Sequence, residues 1–163
     1  MNLALNLGCH DIHIAGFVNI DNDPAMQPDL LFDATKLDDI YEQDTVDFVY
    51  AGHFFEHFPV AEGRAIASML HSIIRPYGAV MAVIPDYTKI DDLPIDEQER
   101  IIMAEGTHKA IYDTERLIGV LSKAGFVALE VPITSVPWCR FREVKWQSAV
   151  LAMKCPPVTF PKG

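Results

Sequence analysis

The sequence predicts an α/β domain in which a doubly wound, seven-stranded, mostly parallel sheet is covered by helices. Two observations carry this. Seven short runs, Leu3 to Leu7, Phe17 to Asp21, Asp29 to Phe32, Val46 to Ala51, Gly78 to Ile84, Val127 to Pro132 and Ser148 to Met153, are apolar or alternating and are bounded by Gly, Pro, Asn or Asp, which is the pattern of strands. Several are apolar on both faces, as strands buried between two layers must be. Between the fourth and fifth runs, Ile66, Met69, Leu70, Ile73 and Ile74 recur at helical spacing until Pro76 and Gly78 stop them, so an amphipathic helix of about three turns is expected there. A second helix is expected from Asp113 as N-cap, with Leu117, Ile118 and Leu121 on one face and Gly125 as the residue just past its end. Strand, helix and strand in alternation imply right-handed crossovers.

The 163 residues suit one domain spanning 1–163, a size that buries roughly 70% of its unfolded surface. Half the residues are hydrophobic and 22% are charged, which excludes a disordered or collagen-like chain. Thirteen Lys and Arg against 23 Asp and Glu leave a formal charge of −10. That field repels polyanions, so nucleic acid and acidic membrane surfaces are disfavoured as partners. Cys9, Cys139 and Cys155 form no closely spaced framework, and the first residues lack a basic start and a long apolar run, so a reducing cytoplasm is expected. No stretch approaches the roughly 20 apolar residues that cross a bilayer. Two stretches interrupt the alternation: 86–112, with a weak helical pattern around Ile95 to Met103, and 133–147. Both are expected insertions on the substrate side.

The first run leads into Asn6-Leu7-Gly8-Cys9-His10, and the second ends in Asn19-Ile20-Asp21-Asn22-Asp23-Pro24. Doubly wound sheets bind ligands beyond the carboxyl ends of their strands at the switch point. A glycine there lets the backbone approach a ligand, and an acid at the end of the second strand can accept both hydroxyls of a ribose.

These segments, followed by Asp33-Ala34-Thr35-Lys36-Leu37, Val46 to His57, Ile74-Arg75-Pro76-Tyr77-Gly78 and Ile84-Pro85-Asp86, resemble the successive signatures of class I S-adenosylmethionine (SAM)-dependent methyltransferases. The likeness is to their small, type-11-like subgroup with a shortened first helix. His108-Lys109 and Leu117 to Phe126 resemble the same group's C-terminal half. The resemblance implies a three-layer Rossmann-like methyltransferase fold whose last strand is antiparallel. It implies SAM as cofactor, S-adenosylhomocysteine as product, and a small-molecule or sugar-type methyl acceptor. On these positions Gly8 would lie against the methionine part of SAM, Asp21 would hold the ribose hydroxyls, and Asp33 with Ala34 would meet the adenine. Ala51, Gly52 and His53 would line the pocket after the fourth strand, with Asn6, Cys9 and Asn22 beside the first two loops. His10 stands where the group has a second glycine, which makes the first loop bulkier. The helices that often cover the site in this class are missing from the sequence ahead of the first strand, so 86–112 or a second subunit, as in a homodimer, is expected to close over the acceptor.

His53, His57 and His108 are candidate general bases, His53 and His108 foremost, because an imidazole titrates near neutrality. His53-Phe54-Phe55-Glu56-His57 also matches the H-x-x-E-H pattern of inverted zinc peptidases. That motif belongs inside a helix, whereas here a strand and Ala51-Gly52 precede it, so a zinc hydrolase is kept only as the lesser alternative and no resident metal is expected. Cys9, His10 and His13 have no zinc-site spacing either. Trp138, Arg140, Phe141, Arg142, Lys145 and Trp146 form a basic, aromatic cluster suited to stacking or anion pairing, or to packing beside an edge strand. Asp91, Asp92, Asp96, Glu97 and Glu99 are expected to form a solvated face. Two further readings are a catalytically silent SAM- or nucleotide-binding module acting through a partner, and a nicotinamide-dependent oxidoreductase. The second lacks the three-glycine fingerprint.

Overall fold

Alternation of apolar side chains along the central strands decides how the layers stack. The computed structural model describes residues 2–139 and 143–156. Its strands are β1 (Ala4–Leu7), β2 (Val18–Asp21), β3 (Leu30–Leu31), β4 (Val46–Gly52), β5 (Ile74–Pro85), β6 (Val127–Val131) and β7 (Gln147–Met153). The helices are α1 (Val60–Ile73), α2 (Ile95–Met103) and α3 (Thr114–Lys123). The strands form one sheet in the order β3-β2-β1-β4-β5-β7-β6. Pairs β2–β3, β1–β2, β1–β4 and β4–β5 are parallel, while β7 runs antiparallel to both β5 and β6.

Val49 and Ala51 of β4, Val80, Ala82 and Ile84 of β5, and Val150 and Ala152 of β7 face one side. They pack with Ile66, Leu70 and Ile73 of α1 and Leu117, Val120 and Leu121 of α3. The intervening Tyr50, Met81, Val83 and Ala149 belong to a separate cluster on the opposite side, as the two-residue period of a strand requires. On that second side, among the described residues, the cover holds no α-helix. Its apolar partners are Ile12, Ile14 and Phe17 from the β1–β2 connection and Ile133, Val136, Trp138 and Cys139 from the β6–β7 connection. The Trp138 ring lies 5.0 Å from Phe17, 5.6 Å from Phe48 and 5.8 Å from Tyr50. The sequence led us to expect helices on both faces; the outer layer here is irregular chain. The reason is length. Only Gly8–Phe17 separates β1 from β2, fewer than the dozen or so residues a helical crossover takes.

The junction of α1 and β5 also differs from expectation. The helical pattern included Ile74, and the strand was expected from Gly78; instead Ile74 is extended (ψ 131°) and pairs with Val46. Pro76 disfavours the helical conformation for Arg75, so the helix ends and the strand starts with no loop. The register then jumps from Val46–Ile74 to Phe48–Ala79, and in the bulge Tyr77 takes φ 67°.

The second expected helix is formed as its caps dictate. The Asp113 carboxylate accepts the Arg116 N–H at 2.6 Å, and Gly125, just past the end, has φ 109°. The weak pattern in 86–112 forms α2, with only Ile101 buried. Asp91, Asp92, Asp96 and Glu99 are exposed and Glu97 is half-buried. No described helix is long and apolar enough to cross a membrane.

Candidate functional site

A cavity of about 660 Å³ opens beyond the carboxyl ends of β1, β2 and β4, within the range of small-molecule sites. Of the residues expected to hold a cofactor, Asn6, Gly8, Cys9, Asp21 and Asn22 line it, as do Asp33, Ala34, Gly52 and His53. Ala51 does not. Its side chain points into the α1–α3 core, since it lies one residue out of phase with Tyr50 and Gly52. Sequence reasoning missed Ile12, Tyr50, Phe54 and Phe58 in the lining. Two of these are aromatic residues just past β4, a composition that strand patterning does not flag.

The first loop is held by side chains in place of a helix. Asn6 Nδ2 donates to the Ile12 carbonyl (2.7 Å) and to Asn19 Oδ1 (2.9 Å), which also accepts the Ile14 N–H (2.8 Å). Asn19 in turn donates from its backbone and its amide to Asp29 Oδ2 (2.9 and 2.6 Å). This ladder uses the Asn6 amide for scaffolding. At the tip, Gly8 has φ 57°, and a Cβ there would stand 3.1 Å from the Phe54 ring. His10, in the position of the second glycine, takes the left-handed conformation itself (φ 46°), with its imidazole 3.1 Å from Asp11 and largely exposed. The loop therefore keeps a glycine-like path.

Asp21 accepts the His10 N–H on one oxygen and the Asp23 N–H on the other, both at 2.9 Å. The Asp33 carboxylate accepts the Thr35 hydroxyl (2.7 Å) and N–H (3.0 Å), with Lys36 3.3 Å away. These bonds hold Asp33 below the ordinary carboxylate range, so it is charged at neutral pH. Cys9 is buried, and burial, aided by the charges of Asp21 and Asp29, pushes its thiol up to about 11. It is therefore no thiolate at neutral pH. Burial pushes the Tyr50 phenol up as well.

His53 sits in the left-handed region (φ 51°) at the end of β4, its N–H bonded to the Val83 carbonyl. Its Nδ1 is 3.0 Å from Glu56 Oε1 and its Nε2 is 2.8 Å from Gln147 Oε1. Burial alone disfavours the charged ring, but the hydrogen bond and charge of Glu56, with Gln147, outweigh it and raise the His53 pKa. Trp146, at the end of the β6–β7 connection, meets His53 edge-on at 6.1 Å. His57 lines the cavity too; His108 does not. Burial lowers the His108 pKa, and its ring meets that of His57 edge-on at 5.1 Å. Phe55–His57 form a single 3-10 turn after the strand, so His53 and His57 do not share a helix face as the inverted zinc-peptidase arrangement requires. Trp138 is used in packing; Arg140, Phe141 and Arg142 lie outside the described residues.

No protein-family model matches the sequence, and no curated protein matches it. Solved structures do. A SAM-dependent methyltransferase from Archaeoglobus fulgidus superposes with a TM-score of 0.70 over 94% of this chain and 86% of its own, at 16% identity. Human N-acetylserotonin methyltransferase in complex with SAM gives a TM-score of 0.69 at 15% identity, over 94% of this chain and 48% of that one. A structure from Bordetella parapertussis, described as a possible exported protein, gives 0.66 at 15% identity, over 95% of this chain and 62% of that one. The chain thus spans less than two thirds of the last two. With the strand order and the antiparallel β7, these likenesses establish that the chain has the class I, Rossmann-like methyltransferase fold.

Proposed function

We propose that this chain is a SAM-dependent methyltransferase domain. The observation that carries the reading is the convergence of the Gly8 turn, Asp21 and Asp33 on one cavity, from the ends of three neighbouring strands. Asp21 would take the ribose hydroxyls, Asp33 and Ala34 the adenine, and Gly8 the methionine end. SAM supplies an electrophilic methyl group on a sulfonium. What remains for the protein is to orient an acceptor and exclude water, and positioning of this kind supplies much of the rate.

Charge favours this ligand over a dinucleotide. Asp11, Asp21 and Asp33 line the cavity, and among the described residues no Lys or Arg does. A cationic sulfonium suits such a rim, whereas a pyrophosphate would be repelled. The acceptor is taken to be a small molecule or sugar, for the same reason at the scale of the whole chain: a net charge of −10 opposes nucleic acid. His53, on the cavity wall, is the better placed of the two foremost base candidates; His108 stands behind it.

Calorimetric titration with SAM, S-adenosylhomocysteine and NAD tests the reading. Saturable binding of the first two and none of NAD is expected; no uptake of either adenosyl ligand would sink it. Transfer of a labelled methyl group from SAM to an acceptor separates an enzyme from a silent binding module.

A further inference from the structure

We propose that Glu56, His57 and His108 form a binding site for one divalent transition-metal ion of the zinc or cobalt kind, on the wall behind the main cavity. One ligand atom from each of the three lies within 4.8 Å of the other two. The site follows from how each side chain is held.

Glu56 is 1% exposed. One of its oxygens meets His53; the other, Oε2, is buried without a hydrogen-bond partner. A buried carboxylate oxygen left in this state is strongly unfavourable, and a cation held between it and the two imidazoles would relieve it. Each imidazole is held by a contact at its Nδ1. His57 Nδ1 is 3.3 Å from the Thr107 carbonyl and His108 Nδ1 is 3.1 Å from the Ile102 carbonyl. A carbonyl can only accept, so each Nδ1 carries a proton, and in the neutral ring Nε2 keeps its lone pair. A ligating histidine is normally fixed by such a bond from its other nitrogen.

The backbone joins the two halves of the site. Lys109 and Ala110 donate their N–H groups to the Glu56 carbonyl at 2.8 and 3.1 Å, clamping the chain around His108 onto the turn that carries Glu56 and His57. Glu56 and His108, with Tyr112, whose hydroxyl is also buried without a partner, line a small cavity of about 10 Å³, about the room for a single small occupant; His57 lines the main cavity on the other side. Two imidazoles and a carboxylate are a donor set suited to zinc and its neighbours. Bonds of about 2.0–2.2 Å put tetrahedral ligands about 3.4 Å apart, so each side chain would close in by about an ångström. Three protein ligands leave a position open, and His57 lines the main cavity as well, so the ion would border it. The site stands whether or not that cavity takes SAM.

The test uses the full chain, freed of metal by a chelator and then titrated with Zn²⁺ by calorimetry and with Co²⁺ by visible absorption. One equivalent of Co²⁺ giving ligand-field bands without a thiolate charge-transfer band is expected. Glu56→Gln and His108→Ala should each weaken Zn²⁺ binding about tenfold or more. Circular dichroism checks that each variant is folded; His108 is half-buried, so His108→Ala is informative even if Glu56→Gln fails to fold. His13→Ala, at an exposed histidine, should change nothing. Binding that survives His108→Ala, that is lost in His13→Ala, or that never saturates at one equivalent overturns the proposal. Because the readout contains no SAM, failure here is distinct from failure of the methyltransferase reading.

Discussion

The backbone N–H of His10 donates to the carboxylate of Asp21 at 2.9 Å, so the turn after β1 and the end of β2 are fastened to each other by the acid that faces the candidate nucleotide site. Asp21 thus has a task in the loop and, in the proposed function, a second one toward the ribose of a ligand. Asp21→Ala is expected to weaken S-adenosylhomocysteine binding by about 10- to 100-fold, as losing charge-assisted bonds worth about 1.5–3 kcal/mol implies. Calorimetry checks it; affinity within twofold of the parent would show that the ribose contact lies elsewhere.

His10 occupies the left-handed region without the freedom of a glycine. That conformation costs an ordinary residue about 1–2 kcal/mol, while a glycine gives back about 0.4–1 kcal/mol through the unfolded chain. His10→Gly is therefore expected to raise stability by up to about 1.6 kcal/mol and to leave SAM affinity within a few fold. Urea unfolding reads the first and calorimetry the second. A lower stability would mean that the His10 side chain does more than its exposed contact with Asp11 implies.

Asn19 carries the ladder that stands in for the missing first helix. Asn19→Ala would leave the Ile14 N–H and the Asn6 amide short of an acceptor. At about 1–3 kcal/mol for each buried group left unsatisfied, a loss of about 2–6 kcal/mol is expected, together with loss of ligand binding. Unchanged stability would place the control of this loop in its apolar contacts.

Acid should weaken the fold through Asp86. Burial alone would raise its pKa, but hydrogen bonds from Ser148 (2.6 Å), Thr88 (2.6 Å) and Thr114 (2.8 Å) outweigh this and hold the carboxyl below its ordinary value. The native state thus binds fewer protons than the unfolded chain. The contribution to stability is complete above the unfolded value of about 3.9 and is lost as pH falls through the depressed native value. In urea unfolding at pH 7, 4 and 3, Asp86→Asn should be less stable than the parent at pH 7 and should lose less on acidification. Parallel losses would assign the acid limb to other groups.

Much of this protein was legible in its sequence because the relevant physics is local. Alternation in Val80 to Ile84, the helical spacing of Ile66 to Ile73, the Asp113 cap and Gly125 each depend on neighbours a few residues away, and each formed as expected. That Gly8, Asp21 and Asp33 would border one cavity was legible for the same reason: they sit where strands end. Tertiary structure decided the rest. The expected helical cover on the second face is a coil pinned by Asn6 and Asn19, because the β1–β2 connection is too short to coil and return. Ala51 faces the core and Tyr50 the cavity, a choice fixed by strand phase against α1 and α3. The meeting of Glu56 and His57 with His108 has no spacing rule behind it. It exists because the Glu56 carbonyl receives the N–H groups of Lys109 and Ala110, a hydrogen-bonded contact between segments some fifty residues apart that only the closed chain brings within reach.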